Sequence, residues 1–310
     1  MQHRGSRCSG LGPPRGAGSA SDRCRIGAGS AVGRRRPRAA RRSCGVHLRL
    51  IASGGVTVHQ AAGVGYQRAA DAYERSRPSY PLPVIRELAD AVRLERGRTV
   101  VDLGAGTGKF TRLLALTGAR VIALEPVAAM RARLAELLPG VEVGEGTGEA
   151  TGLPDGSVDV VVAAQSWHWF RQDEALAEVE RVVRPGGALA LVWNTFDASV
   201  PWVRDFQRIY FGRAPEGLPS HLDGRWRRLL EQRPGWSDIQ ERHLPNPHPV
   251  TREGVLERMA SSSIIAALDA AEQQRVRAEV DAVLRAHPQT RHGDRIELPY
   301  TTDVYWTHRV

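Results

Sequence analysis

Apolar positions along the chain alternate between two spacings. Thr99 to Val101, Arg120 to Leu124, Val141 to Val143, Val158 to Ala164 and Ala188 to Trp193 are short runs rich in β-branched residues, the pattern of buried strands. Between them apolar residues recur at intervals of three and four. This predicts helices over Val84–Leu94, from near Thr107 through Leu116, over Val127–Leu138 and over Asp173–Val183. Pro185-Gly186-Gly187 stops the last of these with a turn, and the Arg77-Pro78 step ends a helix predicted from Tyr66, Ala69, Ala70 and Tyr73. Strand and helix in alternation predict an α/β fold with a largely parallel sheet. Val158–Ala164, almost wholly apolar, is expected to be covered on both faces. Further along, Pro201–Arg233 reads as two helices rich in Trp, Tyr, Phe and Arg, too long for a connection and expected to form a cap. Trp236–Leu244 reads as a sixth strand, Thr251–Met259 and Leu268–Ala286 as helices, and Ile296–Trp306 as the last strand.

The first strand runs into the candidate chemistry. Asp102 and Leu103 close it, and Gly104, Gly106 and Gly108 follow at a spacing of two before the helical pattern begins. A strand, a glycine turn and a helix start make a nucleotide cradle, because glycine turns tightly and lets a ligand approach the backbone. Glu125 ends the second strand, 21 residues after Gly104, where a doubly wound fold places a carboxylate to accept ribose hydroxyls. The dinucleotide fingerprint would need its third glycine where this chain has Lys109, which disfavours NAD. In a parallel sheet the carboxyl ends of the strands face the ligand, so Gln165-Ser166-Trp167-His168-Trp169-Phe170 and Asn194-Thr195 are expected beside it.

Composition changes the picture in one place. The net charge is +9, but twelve arginines and a single acid, Asp22, fall within residues 1–57, and the remainder is near neutral. A broad nucleic-acid face on the folded part is therefore not expected. Residues 1–57 are rich in Arg, Gly, Ser, Ala and Pro and hold all three cysteines, Cys8, Cys24 and Cys44. Such a segment buries no core and is expected to be disordered. A transit peptide or a nucleic-acid arm are its functional readings. The reading favoured here is an over-extended frame in GC-rich DNA, with Val56 or Val58 as initiator, since the chain uses 42 arginines and one lysine. No apolar run reaches membrane-span length and no signal-peptide core is visible, so a cytoplasmic protein with no membrane partner is expected. The histidines lack metal-ligand spacing, so no metal is expected.

Asp-Leu-Gly-Ala-Gly-Thr-Gly followed by Leu-Glu-Pro resembles the class I S-adenosylmethionine-dependent methyltransferases, from about Tyr66 to the C-terminus. The Tyr-x-Arg-x-Arg-Pro-x-Tyr-Pro leader and Trp-His-Trp-Phe look most like the branch that includes trans-aconitate methyltransferase. The resemblance implies a Rossmann-like, seven-stranded, mostly parallel sheet with its last strand antiparallel and helices on both faces. It makes residues 58–310 one methyltransferase domain with cap insertions near 200–235 and 250–290. It implies S-adenosyl-L-methionine as cofactor, held by Asp102, Gly104, Ala105, Gly106, Thr107, Gly108, Glu125, Pro126 and Gln165. Gly148 and Glu149 would hold the adenine, with Met130 either near it or within the core. Arg77, Tyr80, Trp169 and Asn194 are candidates for a carboxylate of cofactor or substrate.

The implied function is methyl transfer to a small molecule, a carboxylic acid in the branch resembled. His168 is the candidate base if the acceptor is a hydroxyl or amine; an ionised carboxylate would need none. An RNA or DNA methyltransferase and a catalytically silent binding module are the alternatives. The first is opposed by the near-neutral folded part and by the lack of an Asn-Pro-Pro-Tyr-like motif, the second by an intact glycine loop and Glu125.

Overall fold

The computed structural model describes residues 77–214, 217–292 and 294–310. The tail 1–57 and the helix expected from Tyr66 to Tyr73 lie outside the described residues. Seven strands form the main sheet: β1 (Thr99–Leu103), β2 (Arg120–Leu124), β3 (Glu142–Gly144), β4 (Val158–Ala164), β5 (Val183–Phe196), β6 (Gln240–Pro245) and β9 (Tyr300–His308), in the order β3-β2-β1-β4-β5-β9-β6. All run parallel except β9, which is antiparallel to both β5 and β6. This is the expected Rossmann-like sheet. A separate hairpin pairs β7 (His248–Thr251) with β8 (Arg295–Leu298).

Side-chain alternation along the strands feeds two cores. Val100, Val160, Val162, Ala190 and Val192 pack with helix α1 (Leu82–Val92) and with Phe110, Leu113 and Leu114, the last two from the short helix α2 (Thr111–Leu114). Val101, Val161, Ala163, Leu189, Leu191 and Trp193 face the other way, onto Leu176 and Val179 of helix α4 (Gln172–Val182). Helix α3 (Ala128–Leu137) buries Met130 and Leu134. A third cluster joins helices α5 (Pro201–Phe211), α7 (Arg252–Ala260), α8 (Ser263–Ala266) and α9 (Ala270–Ala286) through Trp202, Phe206, Val255, Met259, Ile265, Val276, Val280 and Leu298.

Several elements differ from expectation; β6 begins at Gln240 rather than Trp236, and β7 is not among the expected strands. Helix α2 starts at Thr111, not near Thr107, because Gly108 has φ +87° and a helix cannot propagate through it. The Ile296–Trp306 run is two strands, since Pro299 separates β8, in the hairpin, from β9, in the main sheet. β5 begins before Pro185-Gly186-Gly187: opposite β4, the register jumps from Val183 to Ala188, so the predicted turn is an irregularity inside a longer strand. Helix α6 (Arg225–Glu231) leaves the cap expected of it, sending Trp226 and Leu230 into the main core beside Trp193. No helix among the described residues is long and apolar enough to cross a membrane.

Candidate active site

Glu125 organises the carboxyl end of β1 and β2. Its Oε2 accepts the Gly106 amide and its Oε1 the Val127 amide, both at 2.8 Å. Burial pushes its carboxyl up, and the two amides with the Arg131 charge act against that. Each oxygen keeps lone-pair capacity for a further donor. Asp102 beside it is 1% exposed. The Thr111 hydroxyl donates to its Oδ2 at 2.6 Å, while Oδ1 is buried without a hydrogen-bond partner. Burial raises this carboxyl to about 7, with the Thr111 bond opposing and the Glu125 charge adding.

The leader is pinned over this loop. Lys109 donates from Nζ to the Arg77 carbonyl at 2.7 Å, and the Tyr80 ring meets Phe110 edge-on at 4.9 Å. Asn246 and Asn194 both donate to the Ser79 carbonyl, at 2.8 and 3.4 Å. Asn194 Oδ1 accepts from Thr302 and Asn246. The Gln165 side chain donates to the Asn194 carbonyl at 2.8 Å, and Gln165 has φ +58°, an uncommon conformation for a residue other than glycine. Such a residue at the end of a central strand marks a place where local geometry yields to site geometry.

Two cavities open here. The first is lined by Asp102, Gly104, Ala105, Gly106, Thr107, Glu125, Pro126, Met130, Gln165, Arg77, Tyr80, Trp169 and Asn194, so most of the expected cofactor and carboxylate candidates converge. Gly108, Gly148, Glu149 and His168 are not among its lining residues. Gly108 abuts Leu134 and Leu138. Glu149 accepts the Arg171 amide at 2.7 Å, ahead of helix α4. At Gly148 an added Cβ would stand 2.5 Å from the Phe170 ring, so that glycine admits Phe170, which does line the cavity.

The second cavity, about 510 Å³, lies between the ends of β4 and β5 and residues of the stretches 207–214 and 217–223. It shares Arg77, Gln165, Trp169, Asn194 and Arg258 with the first. His168 lines it, and the Trp193 indole N–H donates to His168 Nδ1 at 3.3 Å, which leaves the imidazole proton on Nε2. Burial, then the His221 and Arg77 charges, push His168 down to about 3. His221 stacks on Trp193 at 5.1 Å and is pushed down to about 4 by burial, against the pull of Asp303 and Asp223. Both rings are neutral at ordinary pH.

Arg258 and Tyr300 are site residues that the sequence reading missed. Arg258 is 6% exposed, donates from Nε to the Tyr300 hydroxyl at 3.2 Å and lies over the Phe196 ring at 5.6 Å. Among the described residues no carboxylate lies within ion-pair distance of it. A signal was present: Arg258 stands among Val255, Leu256 and Met259 on the buried side of α7, where an arginine is out of place unless it meets a ligand or partner.

With this geometry in view, the sequence profile of the family described as "Methyltransferase domain" matches residues 101–191. An uncharacterized methyltransferase-like protein of Schizosaccharomyces pombe is 35% identical over 234 residues, covering 75% of this chain and 91% of its own. An uncharacterized methyltransferase of Mycobacterium bovis is 36% identical over 239 residues, covering 77% and 93%. Among solved structures, one from Anaeromyxobacter dehalogenans, described as a candidate type II methyltransferase, superposes with a TM-score of 0.54 at 27% identity over 75% of this chain and 96% of that one.

Proposed function

This chain belongs to the class I S-adenosylmethionine-dependent methyltransferases, and from that premise we propose that it methylates a small-molecule carboxylate. The observation that carries the reading is the meeting of the two cavities at Arg77, Gln165, Trp169, Asn194 and Arg258. The first cavity fits the cofactor. Glu125 offers two carboxylate oxygens to vicinal hydroxyls, the unpartnered Oδ1 of Asp102 suits an ammonium group, and nothing stands within 4 Å of where a Cβ on Gly106 would be. Bound there, S-adenosylmethionine would supply an electrophilic sulfonium methyl group to an acceptor oxygen, with the neutral thioether as leaving group.

The chain's own work is binding and orientation. Arg77 and Arg258 are two cations at the junction, as two carboxylates require, one from the cofactor and one from the acceptor. The Trp169 ring, shared by both cavities, shields the junction from water and suits a sulfonium charge. Asn194 and Gln165 fix the walls through the leader and β5. Trp193 occupies His168 Nδ1 with a donated hydrogen bond, so that nitrogen is no base, and an ionised carboxylate needs none.

Calorimetric titration with S-adenosylhomocysteine, followed by turnover on a panel of acids, alcohols and amines, tests the reading. Glu125→Ala is expected to weaken S-adenosylhomocysteine about ten- to hundredfold. An unchanged dissociation constant in that variant sinks the cofactor assignment. Methylation of alcohols or amines but of no acid sinks the acceptor assignment.

A further inference from the structure

The second cavity changes chemistry from its inner end to its mouth. At the inner end, where it meets the first cavity, stand Arg77 and Arg258. The two terminal nitrogens of Arg258 make no hydrogen bond with the described residues, although the side chain is nearly all buried. A guanidinium so placed is costly unless an anion comes to it. At the mouth exposed apolar side chains join the lining beside Gln207 and Ser220. Phe211 and Leu222 are 41% and 57% exposed, which places them among the few large apolar side chains left open to solvent. Leu218 and Ala214 line the cavity with them.

Charge at the mouth runs opposite to charge at the inner end. The charged residue among the described outer lining is Asp223, an acid whose Oδ1 accepts the Arg225 amide. A second carboxylate on the acceptor would meet no cation among the described outer lining and would face Asp223. An alkyl or aryl tail there would cover Phe211 and Leu222 and withdraw its own surface from water.

We propose that the acceptor is an amphipathic monocarboxylate, its charged end at the Arg77–Arg258 junction and a single apolar tail running out past Leu218 and Phe211 to Leu222. This rests on the carboxylate reading above and narrows it: polycarboxylates are disfavoured. Leu222 is a test position outside the buried core, since its side chain is mostly exposed and its backbone amide, donating to Ser220 Oγ, survives substitution.

The experiment is kcat/KM of the full chain on straight-chain monocarboxylates from four to ten carbons, on dicarboxylates and a tricarboxylate of comparable length, and on alcohols and amines with the same tails. The monocarboxylates are expected to gain about two- to fourfold per added methylene until the tail clears the mouth. Leu222→Asp should flatten that rise, with the S-adenosylhomocysteine dissociation constant reporting that the variant is folded. A rate indifferent to tail length, or a preference for di- or tricarboxylates, overturns the inference and leaves the carboxylate reading standing. Methylation of the alcohols or amines with no acid accepted overturns both.

Discussion

Two aspartates in neighbouring strands, each 1% exposed, are treated in opposite ways. Asp159, near the start of β4, is fully engaged: Arg98 donates to Oδ1 at 2.6 Å, the Thr99 amide to Oδ2 at 2.8 Å, and Arg184 stands 3.3 Å away. Burial pushes its carboxyl up, but the Thr99 and Arg98 hydrogen bonds and both arginine charges outweigh that and hold it below its ordinary value. Asp102, near the far end of β1, has one hydroxyl donor and an unpartnered oxygen, and there burial wins. One end of the sheet is closed by an ionic network that serves folding. The other end holds an unsatisfied carboxylate next to a cavity, and that unmet demand is what a ligand can satisfy.

The comparison breaks most visibly at Asp159. Replacing it with Ala leaves Arg98 and the Thr99 amide without their acceptor and should lower stability by about 2–4 kcal/mol in urea unfolding. S-adenosylhomocysteine affinity of the molecules that remain folded should change little. A variant as stable as the parent would remove the structural half of the contrast.

Asp102→Asn sharpens the other half through pH. Below about pH 3 the carboxyl is protonated in folded and unfolded chains alike, so it makes no difference to stability. As pH rises toward 7 the unfolded chain ionises and the folded chain, with its carboxyl at about 7, does not. Stability is therefore lost across that window, by up to about 4 kcal/mol above it. The Asn variant escapes this loss, so its melting temperature relative to the parent should rise from pH 5 to pH 8, while it binds S-adenosylhomocysteine more weakly at pH 8. A melting difference independent of pH would show that Asp102 is ionised in the free protein.

His168→Gln should give the smallest effect. Burial, with the His221 and Arg77 charges, pushes His168 down to about 3, so it should leave no inflection in the rate between pH 5.5 and 8. Turnover should fall by less than about tenfold, below the hundredfold or more expected of a lost general base. A hundredfold loss with cofactor binding intact would reject the carboxylate acceptor in favour of base catalysis.

Local pattern is strong enough to specify the central strands. Val158–Ala164 reads as a strand covered on both faces, and β4 has those limits, because an almost wholly apolar run, rich in valine and interrupted only by Asp159, has few other places to be stable. Glu125 was legible for a similar reason: strand, glycine loop and strand end are contiguous patterns with a fixed geometry between them. The family resemblance implies adenine contacts at Gly148 and Glu149. Yet Glu149 turns to the Arg171 amide and Gly148 makes room for Phe170, a choice that depends on a segment more than twenty residues away.

What the sequence determined by itself is the parallel sheet, the glycine cradle and its carboxylates, since each follows from the period of apolar residues and from backbone freedom within a few neighbours. Tertiary structure alone decided the rest. It sent Trp226 into the main core rather than the third cluster, divided one apolar run between two sheets at Pro299, and brought Arg258 from α7 into the lining it shares with Arg77. Those outcomes turn on contacts between residues tens to hundreds of positions apart, where burial and charge compensation are summed over the assembled fold and leave no local periodicity to read.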